Sequence, residues 1–411
     1  MSDVLKIAQQ SKIASTKLLE VSESKRNEIL HVIAANLRKF EAKIISANLI
    51  DLQSANENKQ KISFIDRLTL SKKVIEQMAS SCENIAKFPQ VVGKIENETK
   101  RSDGLIIQKQ RIPIGVIALI FESRPNVVIE AAALAIKSGN ALIFKGGSEA
   151  NHSNRILFEI LQKSIENYLP PNSIQILESR SSVAEILSLH QYVNLVIPRG
   201  GDALVKFVKS KATMPVIAHD RGLCHLYIHH DVDFEMAKNV VLNAKTSRPG
   251  VCNALESVLI HRDFLKVDGL LNALLSFGVK LKVDAFLQSK YPNLNLELAT
   301  DLDYSQEWLD LIISIKTVQS VEEAVLHVQK FGTLHTEGIL AKEAKAIEYF
   351  LNHVDASCIV VNASTRFNDG GELGLGAEMG ISTSKLHAYG PMGAKELTTL
   401  RFLVIGLGHV R

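Results

Sequence analysis

The sequence predicts an α/β protein with two successive units of parallel strands and helices behind a helical N-terminal segment. From about residue 105 to residue 332, short apolar runs alternate with amphipathic helical patterns, which is typical of parallel βαβ units. Residues 3–89 show helical periodicity throughout, and no glycine occurs before Gly93. The 411-residue chain is too long for one simple core, so two or three domains are expected.

The composition is that of an ordinary globular protein, with 46% hydrophobic and 22% charged residues. A net charge of +3 predicts no broad basic surface for nucleic acid or an anionic membrane. No apolar run approaches the roughly 18 residues that span a bilayer. The four cysteines are widely spaced without a C-x-x-C pair, which argues against a disulfide framework and a compact zinc site. These features predict a cytoplasmic protein.

The first α/β unit begins with the stretch "LIIQKQRIPIGVIALI" (105–120), which predicts a hairpin-like strand followed by a buried strand. Pro113 and Gly115 mark the break between the two. The elements predicted after them are a helix at 126–138, a strand at 141–145, a polar loop at 146–154 that opens a long helix ending near 167–172, a strand at 173–177, a helix at 181–189, a strand at 193–198, a helix at 201–212 and a strand at 215–218. Ligands of such a unit are expected at the C-terminal strand ends.

The second α/β unit and the C-terminus complete the prediction. Its strands are predicted at 224–228, 257–262 and 311–318, and its helices at 234–246, 268–278 and 321–332. A glycine-rich loop follows at 367–383, and the chain finishes with an apolar strand in 397–411. This last strand has no obvious partner nearby, which is suspicious for an edge strand and suggests pairing with another subunit.

Cys252 is the candidate nucleophile. It follows the Arg-Pro-Gly turn 248–250 and precedes an apolar strand, so its thiol can face a pocket while its backbone is held rigid. A free thiol has a pKa of about 8.5 and needs a lowered pKa or a proton acceptor to react near neutral pH. Cys82 in a helical pattern, and Cys224 and Cys358 in strand patterns, are interpreted as buried and inert.

Two glycine-containing loops each follow a predicted strand and open a helix. In "KGGSEANHSN", Lys145 ends the strand, and Gly146 and Gly147 let backbone N–H groups approach a phosphate at a helix N-terminus. "PRGGD" (Pro198–Asp202) repeats this arrangement in the next unit. Neither loop matches a Walker A or G-x-G-x-x-G pattern, and each alone is also consistent with a capped turn. Their occurrence in adjacent units favours phosphate binding.

Two further groups of polar residues occur in the sequence. His229, His230 and Asp231 have no additional ligand at metal-site spacing, so a surface turn is the interpretation and no metal site is predicted. Arg366 lies in a polar loop between a strand and glycines. It is either a solvated loop arginine or a clamp for a carboxylate or phosphate, for which a planar guanidinium is suited.

Several long motifs together resemble a known family. They are "RPGVCNALES", "SGNALIFKGGSEANHSN", "VIPRGGDALV", "FNDGGELGLGAEMGISTSKLHAYGPMG" and "ELTTL". In content and order they resemble the gamma-glutamyl phosphate reductase family, a branch of the aldehyde dehydrogenase superfamily. The resemblance covers nearly the whole chain, and its cysteine and glycine-rich motifs are long and specific.

The resemblance implies an aldehyde-dehydrogenase-like α/β fold with two Rossmann-like domains and a β-strand oligomerisation arm. It assigns an NADP-binding domain to 1–100, 114–222 and 355–385, a catalytic domain to 223–354, and the arm to 101–113 and 386–411. The apolar C-terminal strand would then belong to the arm that joins subunits.

The reaction implied by the resemblance is reduction of L-glutamyl 5-phosphate by NADPH to L-glutamate 5-semialdehyde, with release of phosphate, in proline biosynthesis. Cys252 matches the nucleophile that expels phosphate and forms a thioester. The Cys252 N–H and the Asn126 side chain are the candidate oxyanion donors. General aldehyde dehydrogenases place their asparagine about one helical turn farther from the cofactor lysine. Arg366, Ser364 and Asn368 are expected to bind the amino-acid end of the substrate.

The implied cofactor is NADP(H). Lys145 matches the lysine on the adenosine ribose, and Ser148 stands where NAD-dependent relatives often have a glutamate. Because a carboxylate repels a 2′-phosphate, Ser148 favours NADP(H). Glu307 matches the glutamate on the nicotinamide ribose. The residues predicted to bind cofactor are Lys145, Gly146, Gly147, Ser148, Pro198, Arg199, Gly200, Gly201 and Glu307.

A water-activating base is absent from the matching position. Aldehyde-oxidising relatives use a glutamate in an "ELGGK"-like motif, where an ungapped comparison puts Ala218 or His219. Its absence suits phosphate chemistry because the thioester must escape hydrolysis. Asp220 lies nearby and undermines this inference if it points into the site. Two alternatives stay open: ordinary aldehyde oxidation with a substitute carboxylate, and a nucleotide-binding regulator that does not need Cys252.

The expected partners are the small-molecule substrate and further copies of the chain in a homo-oligomer. Neither nucleic acid nor a membrane is expected. Only 6% of residues are aromatic, and no aromatic or basic cluster supports RNA binding.

Overall fold

The computed structural model describes residues 2–179, 181–218 and 221–411. The chain forms two compact units. The first consists of Met1–Ala218, Gly374–Gly380 and Leu386–Arg411, and the second of His219–Leu373 and Ile381–Lys385. The predicted α/β class is confirmed, because both units combine parallel sheets with helices.

Most helices of the described residues follow the predicted periodicity, whereas Ala285–Lys290 and Ala344–His353 were not predicted. In chain order they are α1 (Asp3–Lys17), α2 (Glu23–Lys39), α3 (Glu41–Glu57), α4 (Ile62–Leu68), α5 (Lys72–Lys87), α6 (Val127–Ser138), α7 (Asn151–Ile165), α8 (Ser181–Ile186), α9 (Asp202–Lys211), α10 (Phe234–Thr246), α11 (Val267–Ser276), α12 (Ala285–Lys290), α13 (Val321–Phe331) and α14 (Ala344–His353). No helix among them is long and apolar enough to cross a membrane.

The strands are numbered in the same way. They are β1 (Ile95–Lys100), β2 (Ile106–Pro113), β3 (Val116–Phe121), β4 (Ala141–Lys145), β5 (Ile174–Ile176), β6 (Leu195–Arg199), β7 (Cys224–Ile228), β8 (Leu255–His261), β9 (Lys280–Val283), β10 (Leu296–Leu298), β11 (Ile312–Val318), β12 (Thr336–Leu340), β13 (Cys358–Val361), β14 (Ile381–Ser382), β15 (Gly390–Pro391) and β16 (Thr398–Ile405).

A four-stranded parallel sheet, in the order β5-β4-β3-β6, forms the centre of the first unit. All six residues of β3 are buried, as expected for a parallel strand covered on both faces. The strand order reverses at β3, since β4 and β5 lie on one side of it and β6 on the other. Such a reversal opens a crevice at the C-terminal strand ends, where ligands of open α/β sheets bind. The predicted strand at 215–218 is only a single bridge, from Val216 to Val196.

The first unit also contains a three-stranded antiparallel sheet in the order β1-β2-β16. The C-terminal strand therefore has a partner in its own chain, with Thr398 opposite Pro113 and Ile405 opposite Ile106. The first strand of this sheet lies at 95–100, within the range that the sequence assigned to the first domain. All six residues are exposed and all but Ile95 are polar, so they carry no alternating pattern that marks a strand.

A seven-stranded parallel sheet, in the order β10-β9-β11-β8-β7-β12-β13, forms the second unit. The strand at 358–361 pairs with β12, so residues 355–373 lie in this unit and not with 1–218 as the sequence grouping had it. The loop that carries Cys252 immediately precedes β8, and Gly222 immediately precedes β7. Because neighbouring strands are parallel, both segments lie at the amino edge of this sheet.

Candidate functional site

Cys252 lies on the loop between α10 and β8 and is partly exposed. The other three cysteines differ from it. Cys82 and Cys224 are fully buried, and burial raises the pKa of Cys82 to about 12 and that of Cys224 well above the usual value. Burial also raises the pKa of Cys358. A thiol that keeps its proton is a poor nucleophile, so Cys252 is the candidate that fits the chemistry.

The loop of Cys252 is tied to the polar segment 364–368. The side-chain amide of Asn253 donates to the carbonyl oxygens of Arg366 at 3.3 Å and Asn368 at 3.0 Å. In the opposite direction, the Thr365 hydroxyl donates to the Asn253 carbonyl at 2.8 Å. Asn253 and Thr365 are buried, so these bonds are shielded from water and hold the two segments together.

Arg366 is half-buried on a single 3₁₀ turn, Thr365–Phe367. Burial lowers the pKa of this guanidinium, while the carboxylate of Asp369 acts in the opposite direction. Arg248 and the Cys252 sulfur also interact electrostatically with it. A partly desolvated cation on the segment bonded to the Cys252 loop is suited to an anionic substrate.

Ser364 and Asn368, which the sequence grouped with Arg366, make structural contacts. The Ser364 hydroxyl accepts the Arg366 backbone N–H at 3.3 Å and caps the turn. Asn368 is 0% exposed, and its amide donates to Thr336 Oγ1 at 2.8 Å and to the His335 carbonyl at 3.4 Å. These contacts are those of residues that shape the loop around Arg366.

Glu307 accepts a hydrogen bond from the backbone N–H of Gly222 at 2.9 Å. It is half-buried, in the segment between a 3₁₀ turn at Asp303–Ser305 and β11. Glu307 therefore supports the backbone just before β7. Its expected contact with a nicotinamide ribose stays a prediction.

The loop after β4 forms one side of a cavity of about 340 Å³ in the first unit. Lys145 is 9% exposed, and its ammonium group donates to the Gly146 carbonyl. Gly146 has no space for a side chain, because a Cβ would lie 2.2 Å from the amide nitrogen of Asn154. Asn154 is 3% exposed, and its Oδ1 atom has no partner among the described residues. Arg155 also lines this cavity. Arg155 lies 3.8 Å from Glu159, which lines the cavity as well. The cations and the unsatisfied amide oxygen fit the phosphates and hydroxyls of a nucleotide.

Two acidic residues near this loop were not singled out from the sequence. Glu149 follows the exposed Ser148, and its carboxylate accepts from the Ser123 N–H at 2.7 Å and the Ser123 hydroxyl at 2.9 Å. It therefore fixes the turn that follows β3. Glu178 lies just beyond β5 and lines the cavity. An acidic residue just beyond a strand of such a sheet accepts ribose hydroxyls and repels a 2′-phosphate. The position of Glu178 directly after a predicted strand is the sequence signal that could have identified it.

Asn126 is the N-cap residue of α6 and is half-buried. Its side-chain amide donates to Glu130 Oε1 at 2.8 Å, one turn further along the helix. This bond orients the amide that the sequence comparison assigned as an oxyanion donor.

The segment from Pro198 to Gly201 joins β6 to α9. The Gly201 N–H donates to Glu122 Oε2 at 2.9 Å, which ties the ends of β3 and β6 together. The Arg199 guanidinium donates to the Glu378 carbonyl at 2.9 Å and lies 3.4 Å from its carboxylate. Arg199 therefore anchors the glycine-rich segment 374–380.

The position of the missing base is only partly described. Ala218 is 2% exposed and has no functional group to activate water. His219 and Asp220, the other residues considered there, lie outside the described residues.

A model of the aldehyde dehydrogenase family matches residues 1–291. The chain therefore belongs to the aldehyde dehydrogenase family, a class of oxidoreductases.

Within this class, the chain is 44% identical over 418 residues to gamma-glutamyl phosphate reductase of Clostridium beijerinckii, with 100% of both sequences covered. It also resembles the crystal structure of gamma-glutamyl phosphate reductase from Thermotoga maritima, with a TM-score of 0.94, 39% identity and 100% of both chains covered. The predicted family resemblance and aldehyde-dehydrogenase-like fold are thereby confirmed.

A more distant likeness concerns the fold alone. Glyceraldehyde-3-phosphate dehydrogenase GapN from Methanocaldococcus jannaschii, solved with NADP, is 16% identical with a TM-score of 0.73. The match covers 98% of this chain and 94% of the other.

Proposed function

We propose that the protein reduces L-glutamyl 5-phosphate to L-glutamate 5-semialdehyde with NADPH and releases phosphate, a step of proline biosynthesis. The observation that carries this proposal is the end-to-end similarity to gamma-glutamyl phosphate reductases, combined with a partly exposed cysteine on a loop that is hydrogen-bonded to the segment of Arg366. A cytoplasmic location is part of the proposal, since all four cysteines are free thiols.

The proposed chemistry begins at Cys252. Its thiolate attacks the acyl carbon, the bond from that carbon to the phosphate oxygen breaks, and a thioester remains. NADPH, when bound, supplies the hydride that reduces this thioester. The resulting thiohemiacetal on Cys252 then releases the aldehyde by breaking the C–S bond, which restores the thiolate. Arg366 is proposed to hold the anionic substrate during both steps.

Two hydrogen-bond donors are proposed for the oxyanions of these steps. They are the backbone N–H of Cys252 and the side chain of Asn126, and removing one such donor typically costs roughly 100- to 1,000-fold in rate. The bond from Asn126 to Glu130 supports the proposal, because it holds the amide in one orientation without consuming both of its protons.

The cavity beside Lys145 is the proposed site for the adenosine end of the cofactor. Lys145 and Arg155 supply positive charge there, and Asn154 Oδ1 is an unused acceptor for a ribose hydroxyl. Two carboxylates, Glu159 and Glu178, line the same cavity, so the positive charge is partly offset. Ser148 occupies the position where NAD-dependent relatives often have a glutamate, and the absence of that negative charge supports binding of NADP(H). Gly200 and Gly201 stay proposed cofactor contacts at the crevice between β3 and β6.

Subunit association through the antiparallel sheet is the last part of the proposal. The strand Thr398–Ile405 is one of the two edge strands of this sheet, the other being Ile95–Lys100, and it exposes Phe402 and Val404. An apolar edge strand favours pairing with another copy of the chain. Light scattering of the wild-type protein and of Val404→Lys measures this, with a homo-oligomer expected for the first and a lower mass for the second.

The reverse reaction tests the proposed function. Purified enzyme is mixed with glutamate semialdehyde and NADP⁺, and reduction of the cofactor is followed with and without phosphate. We expect activity only with phosphate or arsenate, and faster turnover with NADP⁺ than with NAD⁺. Equal activity in phosphate-free buffer, with acid as the product, identifies an ordinary aldehyde oxidiser instead. Unchanged turnover in Cys252→Ala excludes the thioester route.

A further inference from the structure

The backbone just before β7 lies directly against the peptide of Cys252. At Gly222, a Cβ would be 2.0 Å from the Cys252 carbonyl oxygen and 2.6 Å from its carbonyl carbon. No larger residue fits unless the loop of the nucleophile moves. Gly222 is itself fixed, because its N–H donates to Glu307. The Gly222 backbone therefore prevents the Cys252 peptide from moving in its direction.

The same peptide accepts a hydrogen bond from a second cysteine. The Cys224 thiol donates to the Cys252 carbonyl oxygen at 3.2 Å. Cys224 is 0% exposed, and burial, followed by the Glu337 carboxylate, raises its pKa well above the usual value. The thiol is therefore protonated near neutral pH and can donate this hydrogen bond.

Cys224 also connects the nucleophile loop to a chain of buried polar side chains. Its sulfur lies 3.8 Å from His335 Nδ1, which is 2.7 Å from Thr336 Oγ1. Thr336 Oγ1 in turn accepts from the Asn368 amide at 2.8 Å. The chain closes on itself, because the Asn368 carbonyl accepts from Asn253 in the nucleophile loop. All five side chains are buried, so each bond is protected from competition with water.

We propose that Cys224 is a positioning residue for Cys252. The Cys224 thiol holds the Cys252 peptide, and the closed ring of buried side chains just described, from Cys224 to Asn253, holds the rest of the loop. This inference rests on the proposed function of Cys252. The physical reason is that attack on an acyl carbon needs the sulfur at a defined distance and angle, and displacement of a reacting group by about 1 Å costs up to about 100-fold in rate. The loop around Cys252 has no helix or strand of its own to supply this precision.

The test compares Cys224→Ala with Cys224→Ser. Alanine removes the donor, whereas serine keeps an O–H donor in nearly the same volume. We expect kcat of Cys224→Ala to fall about 10- to 100-fold with KM little changed, and Cys224→Ser to recover most of the loss. The second measurement is the rate at which iodoacetamide alkylates Cys252, a reaction that needs neither substrate nor cofactor. At each pH this rate should follow the order of the kcat values, with Cys224→Ala slower than Cys224→Ser and wild type. Cys82→Ala is the matched control, because it removes another fully buried thiol and should change neither measurement.

Thr336→Val and Thr336→Ser provide a second comparison if Cys224→Ala does not fold. Valine breaks the ring at Thr336 without changing side-chain size, so kcat should fall, and serine should restore it. The inference is overturned if folded Cys224→Ala has the same kcat and the same alkylation rate as the wild type. The same holds for Thr336→Val where that variant is used instead. Since Cys252→Ala tests the thioester itself, an inactive Cys252→Ala with a fully active Cys224→Ala refutes only the positioning role.

Discussion

A buried ion pair next to the nucleophile loop gives the sharpest prediction about stability. Lys245 in α10 lies 3.0 Å from Glu256 in β8, and both side chains are 0% exposed. Glu256 also accepts the Leu309 N–H at 3.2 Å. Burial lowers the pKa of Lys245 and raises that of Glu256 to about 7. Each charge therefore depends on the other for its place in the core.

Lys245→Met removes the cation and leaves the carboxylate alone in a dry site. Breaking a buried pair in this way costs about 3–5 kcal/mol. For a unit of roughly 160 residues, about 2–4 °C of Tm per kcal/mol applies, so Tm should fall by about 6–20 °C. The loss should be larger at pH 8 than at pH 6. Without Lys245 the pKa of Glu256 lies further above its unfolded value, so the variant keeps losing stability as pH rises through a range in which wild-type Glu256, with a pKa of about 7, is already ionised.

Urea and thermal unfolding at both pH values measure the effect. Lys330→Met is the control, because the Lys330–Asp301 pair has a similar distance of 3.1 Å in the same unit but is 61% and 82% exposed. It should cost about 0–1 kcal/mol. Lys245→Met combined with Glu256→Leu should recover most of the stability, since no charge is left unpaired. A single variant within about 1 kcal/mol of wild type at pH 8, or a double variant as unstable as the single, refutes the reasoning.

Three further predictions concern the site. Gly222→Ala should lower kcat by up to about 100-fold, because its Cβ would meet the Cys252 carbonyl oxygen at 2.0 Å and displace the loop; steady-state kinetics with wild-type kcat would contradict this. Arg366→Lys keeps the charge but loses the planar fork, so KM for the substrate should rise about tenfold with a smaller change in kcat; an unchanged KM would exclude a direct contact. Glu178→Gln should lower KM for NADPH a few-fold and raise KM for NADH, since the carboxylate that opposes the 2′-phosphate and accepts the ribose hydroxyls is removed; equal effects on both cofactors would show that Glu178 does not face that ribose.

The sequence predicts much of the fold because most strands are continuous apolar runs between helical patterns. The strand Cys224–Ile228 and the helix Phe234–Thr246 lie where periodicity places them. The strand Thr336–Leu340 was missed because it contains Glu337 and Gly338, which do not look like core residues. Glu337 is accommodated by a hydrogen-bonded contact of 2.9 Å with His225, a residue more than 100 positions away in sequence. Local periodicity carries no information about such a partner.

The candidate site divides in the same way. Cys252 and Lys145 stand beside turns and strand ends, which are local signals that a single sequence shows. Cys224 has the pattern of an inert buried cysteine, and only the contact with a carbonyl 28 residues later in the chain suggests its role. Glu307 and Asn368 were predicted to contact ligands, and the structure adds their hydrogen bonds to Gly222 and Thr336.

Acylation of Cys252 is tested most directly by mass spectrometry of enzyme mixed with glutamate semialdehyde and NADP⁺ in phosphate-free buffer. Without phosphate to discharge it, the thioester should accumulate, and peptide mapping should place one glutamyl group on Cys252. Addition of phosphate should remove that group within one turnover. Reduction of the cofactor with an unmodified Cys252, or with the acyl group on another residue, would contradict the proposed mechanism.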